Sequence, residues 1–460
     1  MKTYLSTTIL VLFLGNFSNV FFSQDIMETA EKNYRRSSLN FVLIEDEDLG
    51  ESRDLVVKAF QSNPFPDQYN KHTIETSRFV FEGVELDIQD YKNAGWYNDT
   101  LRTMKDFLGA LKNPLNPLRY ITADSSEAVI EPTDKDLLQI KLKKYILENN
   151  IAKQLVATWF NRNPETGEMD WELVKERGMY SASEDDKDDA SMTADPTSYL
   201  MDFGLIGQTF TIFNKMKFYP NEPVAAAIRD EAKLALAEQG LTGILYEKAA
   251  AKIDTLYERT KVGYTVIANT FLYKLVWNDS VANLTKSYFF NDAHGLDRKA
   301  IWDTTSLYQL EFLEKTTTSS LVTFKIGERR TEEELIDLQV RRTMDNVVTK
   351  LQKKNVSFRP VTPVAGSEGK LTVARIGKKE GMEPKQKWDV LIKDRNNKGF
   401  EDWKVVGKVT VDKKSPIWDN RQGAEDPVDE NGNPIDFKKY SYFSGGKLQP
   451  DMTYYLRLQK

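Results

Sequence analysis

The chain has 460 residues, with 63 Lys and Arg against 69 Asp and Glu, a formal net charge of −6 and no cysteine. This mildly acidic balance argues against a nucleic-acid surface, which needs clustered positive charge. The missing thiols exclude disulfides, thiolate nucleophiles and cysteine-based zinc sites, and the length exceeds what one core supports, so two or three domains are expected.

Residues 1–23 read as a secretory signal peptide. Lys2 supplies a positive start, residues 9–14 an apolar core, and Phe22-Ser23-Gln24 a cleavage region, although Phe21 is larger than signal peptidase prefers. The alternative is an N-terminal membrane anchor, for which the apolar core is short. No later stretch reaches the ~18 uncharged apolar residues of a membrane-spanning helix, so none is expected after signal cleavage. Without a cysteine behind the apolar core, bacterial lipidation is excluded, and a cysteine-free chain fits export.

Residues 24–132 read as an α/β region. A strand over 38–44 and a helix over 53–60 are followed by a break at Pro64 and Pro66, a strand over 77–86, and a helix over 99–111 that Pro114 and Pro117 close. Residues 133–356 read as a central domain of helices and sheet. Asp134 is expected to cap one helix over 136–160, with Leu138, Leu142, Tyr145, Leu155 and Trp159 as its core stripe. A second, over 171–177, should stop at Gly178.

Two strands form the expected centre of the sheet. In 208–219, Phe210, Ile212, Met216 and Phe218 share a side. In 262–278, Phe271, Tyr273, Leu275 and Trp277 share one face and Val266, Ala268, Leu272 and Val276 the other. Both faces of the second strand therefore need cover, from the chain's own helices or from another subunit. Between these strands, 222–261 carries strong helix formers interrupted at Gly240 and Gly243, read as two helices packed over the sheet. A short helix follows Asn278, then a strand over 306–313. Thr331 and Glu334 form a capping box for a helix to about residue 354, with Leu335, Leu338, Met344, Val347 and Leu351 inward. Residues 357–460 turn richer in Gly and Pro, and strands over 370–376, 388–393, 403–411 and 452–458 predict a small β-barrel.

No motif carries chemistry. Gly366-Ser-Glu-Gly-Lys370 lacks the first glycine of a phosphate loop, where Val364 stands, and its Ser or Thr, where Leu371 stands, so it reads as a turn. Acidic residues 183–189 lack the glycine and spaced glutamate of an EF-hand and read as a solvated helix start. His72 and His294, the two histidines, read as exposed loop residues, and the commonest hydrolase signatures, a Gly-x-Ser-x-Gly elbow and a His-Glu-x-x-His pair, are absent. No catalytic, cofactor-binding or metal-binding residue is assigned, and no cofactor.

Two resemblances follow from particular segments. Ala374-Arg-Ile-Gly-Lys-Lys-Glu-Gly-Met-Glu-Pro384, Trp388-Asp-Val-Leu-Ile392, Val405-Val-Gly-Lys-Val-Thr-Val411 and Gly446-Lys-Leu-Gln-Pro-Asp-Met-Thr-Tyr-Tyr-Leu456 together resemble the SH3-like β-domain of envelope assembly proteins, found in flagellar outer-membrane-ring proteins and relatives of the curli-export family. Segments 38–44, 159–167, 176–183, 205–210 and 270–278 resemble uncharacterised exported proteins of Bacteroidota, a group with no activity to carry over. The central region is similar, more distantly, to the α/β domain of the curli-export family. It departs from that family in having no lipidation cysteine and no pore-forming hairpins.

The expected fold is α+β or α/β and multidomain: a central sheet with long helices, then a small SH3-like barrel. The resemblances imply a non-enzymatic, exported component of the periplasm or outer-membrane periphery, whose partners are envelope proteins or further copies of itself. The second expectation is a secreted or surface module binding a glycan or host protein. A hydrolase working with carboxylates alone is a third.

Overall fold

The computed structural model describes residues 37–80, 84–87, 90, 134–181, 205–240, 242–295, 297–321, 330–393, 403–422, 439–446, 448 and 452–459. The expected helix over 99–111, its closing loop and the acidic run 183–189 lie outside them.

Two sheets organise the mixed α+β chain. The first has the order β2-β1-β4-β5-β6, from strands β1 (Ser38–Glu45), β2 (Asn70–Lys71), β4 (Thr209–Pro220), β5 (Tyr264–Leu275) and β6 (Leu310–Leu321); β3 (Arg78–Val80) also pairs with β1. The first four, β1 to β4, pair in parallel, whereas β4, β5 and β6 form an antiparallel meander. Residues from the ranges 24–132 and 133–356 thus contribute to one sheet through the β1–β4 ladder.

Alternation along β4 and β5 sorts their side chains onto two faces. One carries Phe210, Ile212, Met216, Val266, Ala268 and Leu272. These are buried against α1 (Arg53–Ser62) and the long helix α9 (Glu332–Lys354), which contributes Ile336, Val340, Met344, Val347 and Leu351. The other carries Phe213, Phe271 and Tyr273, packed with Leu138, Leu142 and Ile146 of α2 (Asp134–Glu148) and Ile151 and Leu155 of α3 (Ile151–Trp159). A third cluster closes one end of the sheet with Trp159, Phe160, Leu275, Phe289, Trp302 and Tyr308. Its elements include α7 (Asp279–Phe289), capped by Asn278, and α8 (Arg298–Thr304).

Several expected boundaries move. Of the strand expected over 77–86, the described residues form only β3, Arg78–Val80, and residues 84–87 belong to no strand. The single helix over 136–160 is two helices, because Asn150 takes the left-handed conformation at φ 50°, which asparagine tolerates better than most residues. Helix α4 (Glu172–Ser181) does not stop at Gly178 but runs through it, its course held by tertiary contacts of Arg177. Strand β6 starts at Leu310 rather than 306, since Leu307 and Tyr308 are taken up by the third cluster, and it extends through a Thr-Thr-Thr-Ser-Ser run. That run is polar yet partly buried: Thr316, Thr318 and Ser320 face α9, whose Gln339 Nε2 donates to Ser320 O and Oγ at 2.6 and 3.0 Å.

The second sheet comprises β7 (Thr362–Glu368), β8 (Leu371–Ala374), β9 (Lys387–Lys393), β10 (Trp403–Val411), β11 (Ser441–Ser444) and β12 (Tyr455–Leu458). They pair as a closed ring, β10-β11-β8-β7-β12-β9. Strands β7 and β11 were not foreseen. Trp388, Val390, Val409, Val411, Phe443 and Leu456 fill the interior. The 366–370 segment makes the β7–β8 hairpin turn, with Gly369 at φ +62°. Arg359 ties the ring to the first sheet: its Nε and Nη2 donate to Gln352 O and Lys353 O in the last turn of α9, both at 2.7 Å, and its Nη1 to Leu458 O at 3.0 Å. A guanidinium is well placed there, because the final carbonyls of a helix are unpaired and carry partial negative charge.

Two glycines of the ring differ sharply in the space around them. A Cβ at Gly377 would sit 2.4 Å from both Trp418 O and Asn420 Oδ1, whereas one at Gly407, beside the bulge in β10, would meet only Val390 at 3.7 Å. Gly377→Ala should therefore cost about 1–3 kcal/mol in urea or thermal unfolding, and Gly407→Ala should stay within about 0.5 kcal/mol of the parent.

Candidate functional site

Three places gather polar, charged or exposed apolar groups. The first is the joint between the sheets, built on the Gly377-Lys-Lys-Glu-Gly381 turn. Glu380 is buried, its Oε2 accepting from Gly377 N at 2.7 Å and Asn420 Nδ2 at 3.0 Å, its Oε1 from Gln68 Nε2 at 2.5 Å. Lys379 Nζ reaches Asp67 at 2.8 Å, Thr349 Oγ1 of α9 donates to Lys379 O at 2.9 Å, and Gln352 Nε2 donates to Tyr69 OH, which donates in turn to Phe358 O. Asp345 of α9 accepts the backbone N–H of Gln422 here. Burial pushes its carboxyl up to about 7, against the opposing pull of Lys379, that N–H and Arg421, with Asp67 adding repulsion. A joint so densely paired fixes orientation, while Oε1 of Gln68, of Gln352 and of Gln422 are buried without a partner.

The second is the His72–Arg177 cluster. Both side chains are buried, which corrects the reading of His72 as an exposed loop residue. Its Nε2 donates to Leu155 O at 2.9 Å and its Nδ1 accepts from Arg177 Nη1 at 2.9 Å, so the ring is the neutral Nε2–H tautomer. Burial, reinforced by the Arg177 charge, holds His72 down to about 3, and burial brings Arg177 down to about 10. Arg177 also donates to Ser38 Oγ and Lys71 O, both at 2.8 Å, and lies 4.6 Å above the Trp159 ring. Every polar atom of the imidazole is satisfied, so the cluster pins α3 and α4 to β1 and β2 and has nothing left for proton transfer. His294 is half-buried at the end of a 3-10 turn beside Tyr288.

The third is α5 (Asn221–Glu238) and α6 (Gly243–Thr260), inserted between β4 and β5. The β4–β5 ladder continues to its last pair, Pro220 with Tyr264. Asn221 closes the base of the insertion, bonding Gly263 O, Val262 O and Thr265 Oγ1 through its N–H, Nδ2 and Oδ1. The expectation of two helices is met, but they do not pack over the sheet, whose faces α1, α9, α2 and α3 already cover. They pack on each other, joined by Lys233–Asp254 at 2.6 Å and by Arg229 over Tyr257 at 4.4 Å. Helix α6 has no buried residue, and Val224, Ile228, Leu234, Ile244, Leu245 and Leu256 are each more than half exposed. This hairpin is the strongest candidate contact surface. The run 264–277, for which cover by another subunit was an open expectation, is covered from within: Val266, Ala268 and Leu272 on one face, Phe271 and Tyr273 on the other.

The chain matches no protein-family model and no curated protein. Among the described residues, no helix is long and apolar enough to cross a membrane.

Asp345 and His72 act oppositely on stability. Between pH 3.8 and about 7 the folded chain holds a proton on Asp345 that the unfolded chain has released, so this contribution declines as pH rises through that window. For His72, the unfolded chain takes a proton below 6.5 that the folded one refuses until about 3, so its contribution is lost as pH falls. In urea titrations from pH 4 to 8, Asp345→Asn should exceed the parent by about 1–3 kcal/mol above pH 7. The gap should close toward pH 4. An unchanging gap would show that Asp345 does not titrate in that window.

Proposed function

We propose that this chain is an exported, non-enzymatic component of the bacterial cell envelope, at the periplasm or outer-membrane periphery, that works through protein contacts. The α5–α6 hairpin carries the reading: it is a built excursion from an otherwise covered sheet, sealed at its base by Asn221, with apolar side chains left in the open. The N-terminal signal pattern supports export. The C-terminal ring of six short strands is compatible with the SH3-like barrel of envelope assembly proteins, and the Gly377–Gly381 turn of that resemblance is the segment that docks the ring onto α9. Fold similarity alone does not dictate role, so the hairpin bears the weight of the argument. The competing reading, a sugar-binding module, would be favoured by exposed tryptophans; among the described residues each tryptophan is buried or half-buried.

Mass spectrometry of the protein from its native cells should show loss of about 23 N-terminal residues. A photo-crosslinking residue at Ile244, introduced in those cells, should recover envelope proteins or a second copy, while one at Lys414 on the ring serves as the comparison. Intact Met1 on mature protein, or cytoplasmic partners at Ile244, would overturn the proposal.

A further inference from the structure

The two outer edges of the hairpin carry charges of opposite sign. Four exposed charged residues on α5, Glu222, Asp230, Glu231 and Glu238, are all acidic, and its two bases, Arg229 and Lys233, are turned inward onto Tyr257 and Asp254. On α6 the face turned away from α5 carries Lys248, Lys252 and Arg259, one helical face at spacings of four and seven. Among the described residues Glu231, Glu238, Lys248, Lys252 and Arg259 have no ion-pair partner; the two exposed acids of α6, Glu247 and Glu258, fall on the opposite side of the helix from Leu245 and Leu256, and Glu258 is paired with Lys261. Helical periodicity, taken with the antiparallel course of the pair, brings Val224, Ile228 and Ala235 of α5 onto the same broad side as Leu245, Ala249 and Leu256 of α6. That side is therefore an apolar strip with an acidic edge along α5 and a basic edge along α6.

We propose that this side is a self-association surface on which a second copy of the chain docks its own hairpin, α5 of each copy lying on α6 of the other in an antiparallel four-helix bundle. The inference rests on the hairpin being the contact surface of the proposed function and names what occupies it. A twofold axis along the helices turns the second strip onto the first and sets acidic edge against basic edge twice. The other twofold arrangement, with α5 on α5, sets like charges together and is disfavoured. A complete acidic edge also opposes an anionic lipid surface, which selects helices with basic flanks. The Lys233–Asp254 and Arg229–Tyr257 contacts set the heights along the pair, so Glu238 of one copy comes level with Lys248 of the other, and Ile228 lies within a turn of Leu256. Helices of 18 residues are about 27 Å long. A face of that length is at the small end of specific interfaces, so dissociation is expected at micromolar concentrations.

The cysteine-free chain makes the test direct. Light scattering of the purified mature protein should show a monomer–dimer equilibrium, and Glu231→Lys with Glu238→Lys should weaken it at least tenfold, as should Lys248→Glu with Lys252→Glu. Mixing the two reversed variants should restore association as a heterodimer. Separately tagged Ile228→Cys and Leu256→Cys proteins should form a mixed disulfide on oxidation, faster than either pairs with Lys414→Cys; this arm holds even if the reversals unfold the helices, which circular dichroism would report. A monomer at all concentrations, no restoration on mixing, or disulfides no faster than the control would overturn the proposal. A monomer in solution together with envelope proteins crosslinked at Ile244 in cells would remove the dimer and leave the envelope function standing. Binding of the monomer to anionic vesicles would assign the strip to lipid and overturn self-association.

Discussion

Strand β5 is apolar on both faces, and most of the structure follows from the need to cover it twice. Val266, Ala268 and Leu272 face one way, Phe271 and Tyr273 the other, and all are buried. Full burial of side chains such as Val266, Leu272 and Phe271 is worth about 1.5–3 kcal/mol each. Any arrangement that left one face wet would forfeit several of these contributions at once. The chain answers with α9 and α1 on one side and α2 and α3 on the other. The break at Asn150 belongs to the same solution, because two shorter helices can follow a twisted sheet where one long one cannot.

Helix α9 does several jobs with different sides of one cylinder. Its apolar stripe meets β4 and β5, Gln339 reaches the backbone of β6, and Asp345 and Thr349 meet the ring-side segments at Gln422 and Lys379. Lys350 Nζ donates to Thr317 O and Lys354 Nζ to Lys315 O at 3.1 Å, while Lys315 N bonds the Glu314 side chain. Strand β6 has no strand on its outer side among the described residues, and a bare edge invites another chain to pair with it. The lysines occupy carbonyls that such a chain would need. The surface left open is thereby moved from the sheet edge to the hairpin.

That contrast separates the hairpin from everything else. In the body, His72, Arg177, Glu380 and Arg359 each hold two or more elements together. In the hairpin, alanine-rich helices touch through a narrow seam and expose their larger side chains. Helices draw most of their stability in proteins from packing an amphipathic face. This pair packs chiefly on itself and leaves its apolar strip uncovered, with Glu231 and Glu238 along one outer edge and Lys248, Lys252 and Arg259 along the other.

Local pattern in the sequence was enough for several elements of the body: the strand over 38–44, the alternation in β4 and β5, the Thr331–Glu334 capping box, the inward stripe of α9 and the change of character after Ser357 all describe short-range facts that the fold keeps. The pattern did not extend to β7 and β11, short strands whose side chains take meaning only from the ring they close. It also mislaid His72, because flanking polar residues say nothing of Leu155 and Arg177, which are 83 and 105 residues away. The hairpin shows the boundary most plainly. Composition determined that residues 222–261 are helical, since propensity is local, but which face a helix buries depends on what else has claimed the available surface, and only the tertiary structure decided that the sheet was already full.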